Sequence, residues 1–106
     1  MSWTRWKAFE SQVADVMRGT RRIRVSYAES VGDVMHPTYS IECKYGNQIP
    51  KKALIGKRCK FLDKAFAQAE GYCPDKKPMV CLKKRGMRGF IMIVGYPNRT
   101  DVRVIN

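Results

Sequence analysis

The N-terminal part of the chain carries apolar residues at the three- and four-residue spacing of an amphipathic helix. We predict a helix over residues 2–18, which Gly19 ends. Its apolar stripe consists of Trp6, Phe9, Val13, Val16 and Met17. Glu10 interrupts this stripe, where a buried charge is costly unless it is paired or faces a cation. The alternative is that Glu10 lies at the edge of the stripe and reaches solvent.

A two-residue alternation of apolar and polar positions then replaces the helical spacing. It predicts strands over residues 22–27, 32–35 and 39–45, with a turn at residues 36–38. We expect these three strands to form an antiparallel meander, which Gly46 and Asn47 end.

Helical spacing returns in the second half and is followed by two apolar runs of strand length. The predicted helix begins at Lys52 or Lys57 and ends at Glu70, with Gly71 as its C-cap; Gly56 could split it. Strands are predicted at residues 79–83 and 90–96, and residues 102–105 alternate only weakly. The expected order is αβββαββ. This order predicts a single α/β domain over residues 1–106, with a central mixed sheet flanked by helices.

The charge balance indicates a polyanionic partner. Lys and Arg number 21 against 9 Asp and Glu, a net charge of +12, while 44% hydrophobic residues exclude a disordered chain. Nucleic acid is the expected partner, and no membrane contact is expected because no predicted helix has a purely basic polar face. No apolar run approaches the ~20 residues of a membrane span, and no signal-peptide pattern is present. We therefore expect a cytoplasmic protein.

The cysteines do not indicate a metal site. Four are present, none in a CxxC pair, and the chain has one histidine. They are Cys43, Cys59, Cys73 and Cys81. We expect reduced thiols that pack as small hydrophobic groups.

The candidate chemistry lies on the third predicted strand. Side chains two apart in a strand project from one face, so Glu42 and Lys44 lie side by side, and Asp33 on the neighbouring strand can reach them. Carboxylates are hard oxygen ligands that suit Mg²⁺, and the backbone carbonyl of Cys43 could be a third ligand. Glu10 could hold a metal-bound water or a second metal. Such a centre neutralises a phosphate and activates a water, and Lys44 could orient that water or stabilise the transition state.

A Glu-x-Lys strand alone is more often a solvated ion pair, but its conjunction with two further acids and the basic excess favours a metal-dependent nuclease. Two basic segments could track the phosphate backbone. They comprise Lys51, Lys52, Lys57, Arg58 and Lys60 in the first, and Lys84, Arg85 and Arg88 in the second.

The set formed by Glu10, residues 32–34 and residues 41–44 resembles the PD-(D/E)xK nuclease superfamily, and the resemblance covers nearly the whole chain. The layout is most similar to small archaeal-type Holliday junction resolvases and related phage nucleases, in which Arg24 and Ser30 would also have counterparts that contact nucleic acid. The resemblance implies a restriction-endonuclease-like fold and a homodimeric, Mg²⁺-dependent endonuclease that cuts branched DNA in a bacterial or archaeal host cell. Mn²⁺ is expected to substitute.

The chain departs from that pattern at two places. Glycine, not proline, precedes Asp33, and the glutamine that many relatives carry early in the second helix has no firm match. Gln48 precedes the predicted helix and Gln68 lies late in it, so Lys57 or Lys60 could take that role. Two alternatives stay open: a restriction- or repair-like nuclease that acts on linear or single-stranded nucleic acid, and a non-catalytic basic DNA-binding protein.

Overall fold

The computed structural model describes residues 3–17, 34 and 36–106, which form an α/β fold with a four-stranded mixed sheet flanked by helices. In chain order the elements are α1 (Trp3–Val16), β1 (Tyr39–Gly46), α2 (Lys51–Leu54), α3 (Lys60–Tyr72), β2 (Lys77–Lys84), β3 (Phe90–Val94) and β4 (Asp101–Ile105). The strand order is β1-β2-β3-β4. Strand β1 runs parallel to β2, while β3 is antiparallel to both β2 and β4. The crossover from β1 to β2 carries α2 and α3.

Only part of the predicted meander can be compared with the structure. The first predicted strand and all of the second except Val34 lie outside the described residues. Val34 forms an antiparallel bridge with Ile41, which is the pairing direction that a meander requires. The third predicted strand is confirmed as β1 and extends one residue further, to Gly46.

The second helix is split into α2 and α3 around Gly56, as the sequence indicated that it could be, and this glycine has a positive φ of 73°. Several predicted boundaries were wrong. Gly71 is not a C-cap, because α3 continues to Tyr72 and is capped by Cys73. The strand predicted to reach Tyr96 ends at Val94, since Gly95 turns the chain with φ 75°. The weakly alternating tail forms a full strand, β4, that the predicted element order did not include.

Each face of the sheet is covered by its own core. The α1-side core contains Phe9, Val13, Ala14, Val34, Ile41, Cys43, Met79, Cys81 and Phe90. The α3-side core contains Ile49, Ala53, Leu62, Ala65, Phe66, Val80, Leu82, Ile91 and Ile93. Trp6 and Val16, predicted in the apolar stripe of α1, are instead exposed, because the buried face of this helix is centred on Phe9, Val13 and Ala14. Among the described residues, no helix is long and apolar enough to cross a membrane.

A histidine holds the turn that leads into β1. The Nδ1 atom of His36 accepts hydrogen bonds from the backbone N–H groups of Thr38, at 3.0 Å, and Tyr39, at 3.2 Å. Burial and the nearby Lys76 ammonium lower the pKa of His36 below its ordinary value of 6.5. The neutral ring is therefore the form that this turn requires, because a protonated Nδ1 cannot accept either bond.

Candidate functional site

Alternation along β1 separates its polar side chains from its apolar ones. Ile41 and Cys43 are fully buried in the α1-side core. Ser40 and Glu42 therefore project from the other face, and the Ser40 hydroxyl donates a hydrogen bond to the backbone carbonyl of Ala69 in α3. Glu42 is aligned with Val80 of β2, a residue of the α3-side core. The Glu-x-Lys face predicted from the sequence thus lies on the side of the sheet that α3 covers.

Glu42 and Lys44 form an ion pair at the boundary between the core and the solvent. The Lys44 Nζ atom lies 3.1 Å from Glu42 Oε2, and the two side chains are 25% and 6% exposed. A carboxylate this deeply buried loses most of its hydration, and the attraction of a close cation offsets that loss. Lys44 keeps access to solvent, so its ammonium group can reach a bound anion while it stays beside the acid.

The pairing of β1 with β2 places further positive charge beside this pair. Lys44 is aligned with Leu82, and Gly46 is aligned with Lys84, so Lys84 projects from the same face as Lys44. The backbone N–H of Arg85 donates to the carbonyl of Gly46 at 3.3 Å. The carboxyl ends of the two parallel strands therefore meet where the basic loop begins. In open α/β sheets this edge is the usual place for a ligand.

The basic loop between β2 and β3 is a tight, anchored turn. The Met87 N–H donates to the Lys84 carbonyl at 3.0 Å, and Gly86 takes a φ of 96° that only glycine adopts easily. Met87 packs against the α3-side core. The Lys83 ammonium donates to the Arg88 carbonyl at 3.2 Å. Arg85 and Arg88 therefore present exposed guanidinium groups from a fixed backbone.

The other predicted basic segment starts near the same edge. After β1, the chain crosses onto the α3 side, where Ile49 and Ala53 are buried. Lys51 and Lys52, both exposed, open α2, and the Lys57 N–H donates to the Lys52 carbonyl at 2.8 Å. The remaining two residues, Arg58 and Lys60, are also exposed. All five cations of this segment are thus accessible to a polyanion.

The structure does not test whether the three predicted acids converge. Asp33 lies outside the described residues, as do Arg24 and Ser30. Glu10 is half-buried on α1, which packs on the face of β1 opposite to Glu42. A shared centre therefore needs Glu10 to reach past the edge of the sheet, and the convergence stays a prediction.

Within residues 3–17, 34 and 36–106, no group of three or more His, Cys, Asp or Glu side chains could hold a metal ion. Asp33, the acid expected beside Glu42, is not in that set. The donors that are described fit Mg²⁺ in kind. Glu42 supplies a carboxylate, and the Cys43 thiol is buried on the opposite face, so only the backbone of Cys43 can contribute an oxygen on the Glu42 side.

One polar group on α3 was not assigned a role from the sequence. Gln68 is half-buried, and its Oε1 atom is buried with no hydrogen-bond partner in the described part of the chain. The residue directly after it, Ala69, accepts the Ser40 hydroxyl, so Gln68 lies on the helix that covers the Glu42 face. Buried amides are normally hydrogen-bonded, so this oxygen is a candidate acceptor for a bound water or a ligand.

Comparisons with protein-family models, with curated proteins and with solved structures found no match. The functional assignment therefore depends on the residues and the geometry described above.

Proposed function

We propose that this protein is a Mg²⁺-dependent endodeoxyribonuclease that cuts branched DNA in the manner of a Holliday junction resolvase. The observation that carries the proposal is the buried Glu42–Lys44 pair, with its 3.1 Å contact, at the carboxyl end of a parallel strand. A basic loop begins beside it, on a domain whose net charge is +12. A polyanion attracted to this surface meets an acid and an amine already held together.

The predicted ligands of Mg²⁺ are Asp33, Glu42 and the backbone carbonyl of Cys43, with Glu10 as a further carboxylate. When bound, the ion supplies charge neutralisation at the phosphate and a more acidic water. Lys44 is a compact cation that can hold a non-bridging phosphate oxygen or orient the attacking water. Arg85 and Arg88 would hold the DNA backbone, which positions the scissile phosphate over Lys44.

A second ion pair in the same fold is exposed to solvent and provides a comparison. Asp101 and Arg103 have the same two-residue spacing in β4, and Arg103 Nε lies 3.3 Å from Asp101 Oδ2. Their side chains are 52% and 70% exposed, against 6% and 25% for Glu42 and Lys44. An exposed pair needs no functional explanation. A buried pair is often less stabilising than apolar residues of equal volume, so its presence favours a role in binding or catalysis.

Plasmid nicking in Mg²⁺ tests the catalytic part of the proposal. We expect Lys44→Ala and Glu42→Gln to abolish cutting while far-ultraviolet circular dichroism and DNA affinity stay close to those of the wild type. Asp101→Asn and Arg103→Ala are the matched controls, since they break a pair of equal spacing and should leave cutting unchanged. Undiminished cutting by Lys44→Ala would end the assignment.

Parallel assays on a four-way junction, a flap, a linear duplex and RNA test the substrate. We expect preferential cutting of the four-way junction, supported by Mg²⁺ or Mn²⁺ and stopped by EDTA. A symmetric junction suits a homodimer with two active sites, which light scattering measures directly. Preference for linear duplex or single strands would instead assign a restriction- or repair-like nuclease.

The net charge of +12 also favours a second candidate, a non-catalytic DNA-binding protein. This candidate predicts DNA affinity that falls steeply with salt but no Mg²⁺-dependent loss of any substrate. The same cleavage assays therefore separate the two functions.

A further inference from the structure

A second basic surface lies at the opposite end of the sheet from Lys44. The amino ends of β1 and β2 meet there, because the strands are parallel and Tyr39 is aligned with Lys77. The turn that follows β3 lies at the same edge, since β3 runs antiparallel to β2 and Val94 is aligned with Met79. Together these segments enclose an open cleft of about 550 Å³. That volume falls within the ~300–1,000 Å³ range of small-molecule sites.

The cleft combines aromatic walls with cationic and amide groups. Among the residues that the structure describes, its lining includes Tyr39, Lys77, Val94, Tyr96, Asn98 and Arg99, and no acidic residue. Asp101, which is aligned with Val94, is ion-paired with Arg103 at 3.3 Å. Asp63 on α3 accepts the hydroxyl hydrogen bond of Tyr96. An anion that enters the cleft would therefore meet two cations and no carboxylate among the described lining residues.

On the α3 side of the sheet, the part of the cleft lining formed by Tyr96 is fixed before any ligand arrives. The Tyr96 ring stacks on Phe66, with centroids 4.9 Å apart and an angle of 12° between the planes. The Cys59 N–H donates to the Tyr96 hydroxyl at 3.1 Å. Burial and the hydrogen bond to Asp63 raise the pKa of Tyr96 above 10.0, so the phenol stays uncharged and does not repel an anion. A side chain fixed in this way loses little conformational entropy on binding.

The turn that carries Arg99 is closed by a backbone hydrogen bond. The Arg99 N–H donates to the Gly95 carbonyl at 2.8 Å, and a Cβ at Gly95 would lie 2.1 Å from the Arg99 carbonyl oxygen. On the other side, Tyr39 is held by the bond from its N–H to His36 and by its ring, which lies 5.4 Å from the His36 ring. Both sides of the cleft thus have fixed backbones.

We propose that this cleft binds one unpaired nucleotide, with its base against Tyr39 and its phosphate between Lys77, which is aligned with Tyr39, and Arg99. An aromatic side chain beside a cation is the usual combination for single-stranded nucleic acid, because every base has a π-face and every nucleotide an anionic phosphate. Asn98 adds an amide that can donate to and accept from a base edge. The site goes beyond the cleavage centre proposed above, and it lies at the other end of β1.

Fluorescence anisotropy in EDTA, where no metal-dependent cutting can occur, tests the proposal. The probes are a short labelled oligothymidylate and an abasic oligomer with the same number of phosphates. Stacking contributes about 1–3 kcal/mol per base, so we expect the wild type to bind the oligothymidylate about 5- to 150-fold more tightly. An oligouridylate of equal length shows whether the nucleotide comes from DNA or RNA, and tight binding of either supports the site.

Two variants separate the base contact from the phosphate contact. Tyr39→Leu should lose the preference for the base-bearing oligomer without weakening abasic binding. Lys77→Ala combined with Arg99→Ala should weaken both oligomers. The matched control is Arg5→Ala combined with Lys64→Ala, which removes two exposed cations that do not line the cleft.

An equal loss in the control double variant, or a preference for bases that survives in Tyr39→Leu, would overturn the proposal. A measurement on the wild type tests the proposal even if a variant fails to fold. The ring proton signals of Tyr39 should shift on titration with oligothymidylate, and unchanged signals at saturation would also overturn it. All of these binding measurements omit metal. A negative binding result therefore does not bear on the proposed cleavage activity, and a negative cleavage result does not bear on the proposed nucleotide site.

Discussion

Breaking the Glu42–Lys44 ion pair should lower the free energy of unfolding by more than breaking an exposed ion pair does. A double-mutant cycle can measure the difference. The perturbations are Glu42→Gln, Lys44→Met and the two together. At 3.1 Å, two unit charges attract by about 5 kcal/mol if the effective dielectric constant is ~20, and by about 1 kcal/mol in water. Glu42 is 6% exposed and Lys44 25%, so the pair lies between these limits. We expect a coupling energy of about 2–3 kcal/mol.

Urea denaturation followed by circular dichroism gives the four free energies of unfolding. Domains of this size are stable by about 5–15 kcal/mol, so each single variant should still be folded at 25 °C. The internal reference is the cycle of Asp101→Asn and Arg103→Met, for which about 0.2–1 kcal/mol is expected because both side chains are exposed. Raising the salt to about 1 M should remove the reference coupling and keep most of the buried one.

The result that refutes this reasoning is an equal coupling energy in the two cycles. A stable double variant, Glu42→Gln with Lys44→Met, that has lost all cutting would separate the pair's role in function from its role in folding. Lys44→Met alone leaves a buried carboxylate without this cation, so it should be the least stable of the three variants.

Three further predictions follow from single residues. A Cβ on Gly89 would lie 1.7 Å from the backbone oxygen of Ile105, so Gly89→Ala should lower the free energy of unfolding, measured in urea, by about 2–3 kcal/mol. Gly71 lies in a helix and a Cβ there would have nothing within 4 Å, so Gly71→Ala should instead raise this free energy by about 0.5–1 kcal/mol. Equal effects of the two variants would contradict the β4 pairing. The pKa of His36 is lower in the folded protein than its ordinary 6.5, so the stability that it contributes is complete above that pH and is lost as the pH falls through the folded value. The difference in unfolding free energy between the wild type and His36→Phe should therefore shrink from pH 7.5 to pH 5, and because His36 is the only histidine a constant difference would refute its role in the turn. Gln68→Met removes a buried acceptor that has no partner in the described part of the chain, so it should raise stability by about 1 kcal/mol and lower cutting; a loss of stability would show that the amide is satisfied.

The sequence predicted the elements whose signals are local. Strand β1 and the shared face of Glu42 and Lys44 follow from a two-residue period, which survives in any fold that buries one side of the strand. The sequence also indicated that the second helix could be split near Gly56. The physical reason for the split is a tertiary contact. The positive φ of this glycine brings it so close to β4 that a Cβ would lie 2.4 Å from the Val102 side chain.

Elements that depend on long-range pairing could not be predicted in this way. Strand β4 lies at an edge of the described sheet, so its side chains are mostly exposed and its apolar signal is weak, although β3 pairs with it over five residues. The burial of α1 was misjudged for a related reason. Trp6 fits a helical stripe, but the orientation of the helix on the sheet decides which residues of that stripe are buried, and these are Phe9, Val13 and Ala14. The position of Glu10 relative to Glu42 depends on the same orientation.

The two proposed sites are related through the strand that they share. Tyr39 and Lys44 stand at opposite ends of β1, five residues apart, which is about 17 Å along a strand that rises about 3.3 Å per residue. Successive phosphates of a B-form strand advance about 3.4 Å along the helix axis, so this span corresponds to about five nucleotide steps of paired DNA. Tyr39 projects to the α1 side of β1 and Lys44 to the α3 side, so a junction that occupies both sites must place its unpaired nucleotide and the paired phosphate at Lys44 on opposite sides of the sheet. In that arrangement the cleft sets which phosphate is cut. Variants at Lys77 and Arg99 should then raise KM and shift the cleavage position without lowering kcat, whereas Lys44→Ala should abolish kcat and leave single-strand binding intact.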